Sequence, residues 1–298
     1  MRPALVEIDA VGDALVVLTA VHTSLVTIFA IGSPKLVRVI WIARWLLLPA
    51  SLSHWTCQGQ TYVNPEITIF IPCFNEEANV IGAIEKVIQA CAHVGRSYEI
   101  LIYDDGSRDR TYEIAETYRA THPELPITVI RRVRNAGLAH NFFDGATLGK
   151  GTYYRCVAGD DYELPEAHDA ILRALGSADI IIPVYVEVEN KGMLRMFVSR
   201  LFTLLVNGAS GYRLGYYNGF AIYRRLDVLG HTERTSGFSF QAELTVKLLN
   251  AGRSYREIKL KATHKTASNA FTIRNYLSVA HTLTKIVRWR TGNWLFRR

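Results

Sequence analysis

From Ile67 onward, short runs of β-branched and aromatic residues alternate with segments whose apolar residues recur every three to four positions. Few folds accommodate that order. "ITIFIPCF" (67–74), "YEILIYDD" (98–105), "ITVIRR" (127–132), "YYRCVAG" (153–159) and "ADIIIPVYV" (178–186) read as strands. Between them, residues 79–94, 110–122, 137–149 and 166–175 carry helical spacing. Strands separated by helices join as parallel neighbours, and continuous apolar runs indicate that both faces of the sheet are covered. The expected fold class is therefore α/β, a Rossmann-like, mostly parallel sheet with helices on both faces.

Three strands end in polar residues: "PCFNEE" (72–77), "YDDGSRDRT" (103–111) and "AGDDYELP" (158–165). In a parallel sheet their carboxyl ends share one edge, where α/β ligand sites form. Glu76, Asp105 and Asp160 are then positioned to contact a nucleotide and a divalent cation screening its phosphates. Mg²⁺ usually takes only one or two carboxylates beside phosphate oxygens. The plainer alternative for Asp160 and Asp161 is a solvated turn that caps the helix starting at Pro165. No G-x-G-x-x-G follows the first strand and no G-x-x-x-x-G-K-[ST] occurs anywhere, so dinucleotide and P-loop readings fall away.

At 298 residues and 49% hydrophobic composition the chain is long enough for a substantial core. Its net charge of +7 suits an anionic partner without choosing among lipid, phosphate and nucleic acid. Cys57, Cys73, Cys91 and Cys156 show no metal-ligand spacing and read as buried thiols of a reducing compartment. Residues 1–62 differ from the rest and are expected to form a hydrophobic, helical N-terminal extension, with residues 63–298 as the main domain. Ala14 to Ile31 is an 18-residue apolar run that just reaches the length of a membrane span. Lys35 and Arg38 follow it, which would leave everything downstream on the cytoplasmic side. The Trp-rich run from Val37 to Trp55 suits an interfacial helix. An ordinary helical hairpin is the alternative for both.

"ITIFIPCFNEEANV", "EILIYDDGSRDRT", "NAGLAHNFFDGATLGKGTYY" and "AGDDYELPE" resemble, in order and spacing, the nucleotide-binding half of the family 2 inverting glycosyltransferases, which have a GT-A fold. "YYNGFAIYRR" and "GFSFQAELTVKLLNAGRSYREIKL" are similar to the branch containing dolichyl-phosphate mannose synthase and polyprenyl-phosphate glycosyltransferases. The resemblance covers about Ile67 to Arg290. It implies that Pro72, Asn75 and Glu76 shape the donor pocket and that Asp105 contacts the base or ribose. Ala158 falls where the family's Asp-x-Asp motif begins, and Asp160 matches its second acid. Asp160 is thus the expected ligand of Mg²⁺ or Mn²⁺, and Asp161 a supporting or substrate-facing acid at the catalytic centre.

Glu243 matches an acidic position near the acceptor, where it would act as a base toward a hydroxyl; a helix-start acid favoured by the dipole is the alternative. The family's Arg-x-x-Gly-x-Ser-Lys-like acceptor element is replaced by "HKTASNAF", in which Lys265 and Ser268 would serve.

Three readings follow. The first is a metal-dependent transfer of a sugar, with inversion, from a UDP- or GDP-sugar to a polyprenyl phosphate at the cytoplasmic face of a membrane, the protein being peripheral or held by one N-terminal span. The basic amphipathic segment 191–206 and the basic tail 285–298 fit a bilayer surface, although core packing also explains the former. The second keeps the donor chemistry but uses a saccharide hydroxyl in cell-surface polysaccharide assembly. The third is a non-catalytic nucleotide-sugar binder, suggested by the missing first acid. No nucleic-acid motif is present.

Overall fold

The computed structural model describes residues 64–189, 193–231, 237, 239–263 and 273–295, and side chains within these except at 187–189, 193–195, 262–263, 273–277 and 291–295. The expected N-terminal extension, with both of its apolar runs, lies outside the described residues, as do Lys265 and Ser268. In chain order the elements are β1 (Ile67–Cys73), α1 (Val80–Val94), β2 (Tyr98–Asp104), α2 (Thr111–Thr121), β3 (Ile127–Arg131), α3 (Leu138–Leu148), β4 (Tyr153–Cys156), α4 (Pro165–Arg173) and β5 (Ile180–Glu189). They continue with α5 (Met193–Ser210), β6 (Ile222–Arg224), α6 (Arg225–Leu229), α7 (Phe240–Asn250), β7 (Tyr255–Thr263) and α8 (Ile273–Leu295).

Among the described residues the strands form one seven-stranded sheet in the order β3-β2-β1-β4-β6-β5-β7. β1 pairs in parallel with β2 and β4, and β2 with β3. β6 is antiparallel to both β4 and β5, so β5 again runs parallel to β4. The expectation of a mostly parallel α/β sheet is met.

The two-residue period of the strands divides the core into two layers. Ile67, Ile69, Ile71 and Cys73 of β1 face a cluster with Ile84 and Val87 of α1 and Ile171 of α4. Phe70 points the other way, into a cluster with Phe142 of α3, Phe240 of α7 and Ile286 of α8. A strand buried on both faces needs the continuous apolar sequence that "ITIFIPC" supplies. Cys73, Cys91 and Cys156 are free and buried, and burial raises their thiols above the ordinary range, which fits a packing role.

Candidate active site

Register brings the three polar strand ends together. Cys73 is level with Asp104 across β1–β2, and Phe70 with Cys156 across β1–β4. The chain beyond β4 stays in contact: a Cβ at Gly159 would lie 2.8 Å from Cys73 Sγ and 3.0 Å from the Pro72 carbonyl oxygen. Pro72, Asn75, Glu76, Asp105 and Asp160 therefore share the carboxyl edge of β1, β2 and β4, as the sequence implied, whereas the Asp161 side chain leaves it for α1.

The first two loops are joined to each other. The Asn75 amide donates to Ser107 Oγ (2.9 Å), and Asn75 Oδ1 accepts from the Arg108 amide (2.9 Å). The Glu76 amide donates to Thr111 Oγ1 at 2.8 Å. Asn75 adopts a left-handed backbone, φ 59°, which asparagine tolerates better than other non-glycine residues and which turns the chain from strand to helix. The Glu76 side chain accepts from Asn79 Nδ2 at 2.9 Å.

Asp105 is almost wholly buried, and its two carboxylate oxygens accept backbone N–H bonds from Ala136 (2.8 Å) and Gly137 (3.0 Å). In this structure it ties the β2 end to the start of α3. Each carboxylate oxygen has a second lone pair, so this anchoring is compatible with a further contact to a ligand.

Asp160 and Asp161 face different environments. Burial, then the charges of Glu76 and Glu163, push the Asp160 carboxyl up to about 6. An acid held among other acids at a sheet edge is one whose ionised form a cation would stabilise. The hard oxygen donors suit Mg²⁺ or Mn²⁺. No group of three or more His, Cys, Asp or Glu able to hold a metal occurs among the described residues, so the protein would contribute few ligands and a bound phosphate the rest. Asp161 has φ 58° and turns toward α1, where its carboxylate meets Lys86 Nζ at 2.8 Å and packs over Gly82.

Glu243 lies in the first turn of α7, almost fully buried, and faces α8: Thr282 Oγ1 donates to it at 2.6 Å and Lys285 Nζ lies 3.4 Å away.

Reading the sequence missed a buried network beneath the Asp160 turn. Arg155, in the middle of β4, is completely buried and donates to Glu163 Oε2 at 2.6 Å and to His168 Nδ1 at 3.0 Å. Tyr185 of β5 donates to the other Glu163 oxygen. Burial is the largest influence on Glu163 and opposes its ionisation, but Arg155, His168 and the Tyr185 hydrogen bond together outweigh it and hold the carboxyl below its ordinary value. Burial lowers His168 to about 4, consistent with a neutral ring accepting from the guanidinium. An arginine flanked by Tyr154 and Cys156 in an apolar strand was the available signal, since a charge so placed requires a buried partner.

A mostly parallel sheet with an acidic carboxyl edge and one antiparallel insertion is an α/β fold of the GT-A-like kind. The model of Glycosyl transferase family 2 matches residues 68–275, and the chain belongs to that family. Among curated relatives, undecaprenyl-phosphate 4-deoxy-4-formamido-L-arabinose transferase of Pseudomonas aeruginosa is 28% identical over 152 residues, covering 51% of this chain and 44% of that protein. Its counterpart in Pectobacterium carotovorum is 24% identical over 151 residues, 51% of this chain and 46% of that one. The chain thus spans about half the length of the curated relatives it matches.

Solved structures agree on the fold. A mannosyltransferase from Pyrobaculum calidifontis, in complex with GDP-Man and Mn²⁺, aligns with a TM-score of 0.57 at 15% identity, over 76% of this chain and 65% of that one. Glucosyl-3-phosphoglycerate synthase from Mycobacterium tuberculosis, with Mg²⁺ and UDP, aligns with a TM-score of 0.57 at 16% identity, over 75% and 79%.

Proposed function

We propose that this family 2 glycosyltransferase moves a sugar, with inversion, from a nucleoside-diphosphate donor to a polyprenyl phosphate at a membrane surface. The observation carrying the donor half is the meeting of Glu76, Asp105 and Asp160 at one sheet edge, with Asp160 raised by burial and by its acidic neighbours. Pro72, Asn75 and Glu76 would line the nucleotide, and Asp105 would hold the 136–137 backbone against it while accepting from the nucleoside. Asp160 would hold a Mg²⁺ or Mn²⁺, which when bound supplies charge neutralisation for the departing diphosphate.

The acceptor half is supported by relatives named as undecaprenyl-phosphate transferases. A phosphate acceptor is already anionic at neutral pH and needs orientation more than deprotonation. That suits a Glu243 bonded to Thr282 and Lys285 as a structural acid, and Lys265 and Ser268 are the candidates for gripping the acceptor phosphate. The membrane half is supported by α5, where Phe197, Leu201, Leu204 and Leu205 are exposed on one face beside Arg200. No helix among the described residues is long and apolar enough to cross a membrane.

The test is transfer by the full chain from a panel of UDP- and GDP-sugars, with and without Mg²⁺ or Mn²⁺. Polyprenyl phosphate in anionic vesicles is offered against a soluble saccharide. Cation-dependent labelling of the lipid is expected. Labelling of the saccharide alone would transfer the assignment to a hydroxyl acceptor with Glu243 as base, and donor binding without turnover on either acceptor would make the protein a binder.

A further inference from the structure

The segment from Asp160 to Leu164 is anchored from three sides. Lys86 of α1 pairs with the Asp161 carboxylate and also donates to the backbone carbonyls of Asp161 and Glu163, each at 3.4 Å. Glu163 descends into the protein and meets Arg155 on β4. The third anchor comes from β5: Ile181 and Arg155 are both level with Ile222, so Tyr185, four residues further along, stands beside the turn that leaves β4. Its hydroxyl donates to Glu163, and its ring packs edge-on against Tyr162 at 5.9 Å.

This arrangement is costly for what stability alone requires. A buried ion pair gains little over apolar side chains of similar size, because desolvation consumes most of its attraction. The Glu163 charge also opposes ionisation of the neighbouring Asp160. What the pair provides that apolar packing does not is direction: a guanidinium and a phenol fix both carboxylate oxygens, and thereby the path of the main chain three residues from Asp160.

We propose that Glu163, held by Arg155 and Tyr185, is a positioning residue that sets the Asp160 carboxylate for the cation accompanying a nucleoside diphosphate. The inference rests on the reading of Asp160 as the cation-holding residue. Partners of this kind, one step removed from a metal ligand, typically change metal affinity by about 10–100-fold when altered.

The experiment is calorimetric titration of the full chain with UDP and with GDP, each in Mn²⁺ and in EDTA, the ratio of affinities being the cation-dependent gain. In Glu163→Gln the gain should fall at least about tenfold while the EDTA affinity changes less than about twofold, the lower end of the effect expected one step from a metal ligand. Tyr185→Phe, which keeps the ring and removes one hydrogen bond, should lose a smaller part of the gain. Arg155→Met with Glu163→Met replaces the pair by apolar side chains and keeps the fold even if Glu163→Gln does not; thermal unfolding reports this. The gain should stay lost in that folded double variant. Its recovery would show that the network only fills space and would overturn the proposal, as would a full gain in Glu163→Gln. A wild-type protein with no cation-dependent gain would refute the reading of Asp160 and this inference with it, whereas a wild-type gain that the variants retain refutes the inference alone.

Discussion

At Asp160, on the proposed reading, stability and function pull in opposite directions. Its carboxyl, raised to about 6, holds its proton longer in the folded chain than in the unfolded one, where the ordinary value is 3.8. Stability from this group is therefore greatest below about pH 4 and declines as pH rises toward 6, because the folded state is the better proton binder. Asp160→Asn removes that decline. The ligand-free variant should be more stable than wild type at pH 7 by an amount on the order of 1–3 kcal/mol, and the difference should vanish near pH 4. Paired denaturant titrations at pH 4, 5, 6 and 7 measure it, and a variant no more stable at pH 7 would show that Asp160 carries no electrostatic penalty. The same variant should lose the cation-dependent part of donor binding. A loss of stability in the empty protein offset by ligand binding is what the proposed role of Asp160 entails. His168 contributes in the opposite sense: lowered to about 4, it favours the folded state above pH 6.5, and that contribution fades as pH falls toward 4.

At the scale of elements, the junction of α1 with the Asp160 turn is where helix and site depend on each other. Gly82 lies inside α1, where alanine would ordinarily be favoured by about 1 kcal/mol. A Cβ there, however, would come within 2.9 Å of Asp161 Oδ2, a carboxylate pinned by Lys86 and unable to swing away without breaking that pair. Gly82→Ala should therefore fail to stabilise the protein and should cost roughly 1–2 kcal/mol net, in the range of overpacked sites. Chemical unfolding gives the sign directly, and a gain in stability would mean that the turn moves freely over α1. The loops after β1 and β2 were legible in advance as polar strand ends at one edge, but their bonding to each other through Asn75, Ser107 and Arg108 was not. Nor was the turn of Asp161 away from the edge, since its partner Lys86 is 75 residues away.

For the whole molecule, the proposed membrane acceptor would be met by the face that α5 and α8 present. The exposed side of α5 combines Phe197 and Leu204, each about two-thirds exposed, with Arg200, and α8 adds exposed Arg288 and Arg290. Arg290 also donates to the Gly208 carbonyl and so fixes α8 against α5. Each apolar side chain buried in lipid would contribute up to about 1.5–3 kcal/mol, and each cation near an anionic surface about 1 kcal/mol. Phe197→Ser with Leu204→Ser should leave unfolding unchanged within about 0.5 kcal/mol, as for ordinary surface substitutions. It should reduce flotation with phosphatidylglycerol vesicles at least about tenfold and leave nucleotide affinity as in wild type, since one lost apolar contact already corresponds to that factor. Unchanged flotation would mean that another face, or the segment before residue 64, carries the attachment.

The sequence alone determined the order of strands and helices from β1 to β5, the two-sided burial of the sheet and the edge at which the acids gather, because these follow from local periodicity and from the common direction of parallel strands. It did not determine that β6 runs antiparallel between β4 and β5, because a three-residue strand carries too little periodicity of its own and its place is set by pairing with both neighbours. Nor did it disclose which acid faces which neighbour. Asp161 turned to Lys86, Glu163 to Arg155 and Tyr185, and Glu243 to Thr282 and Lys285. The reason is physical: a pattern of spacing records which way a side chain points from its own element, whereas the partner of a buried charge is chosen by desolvation and geometry among residues that only the folded chain brings together.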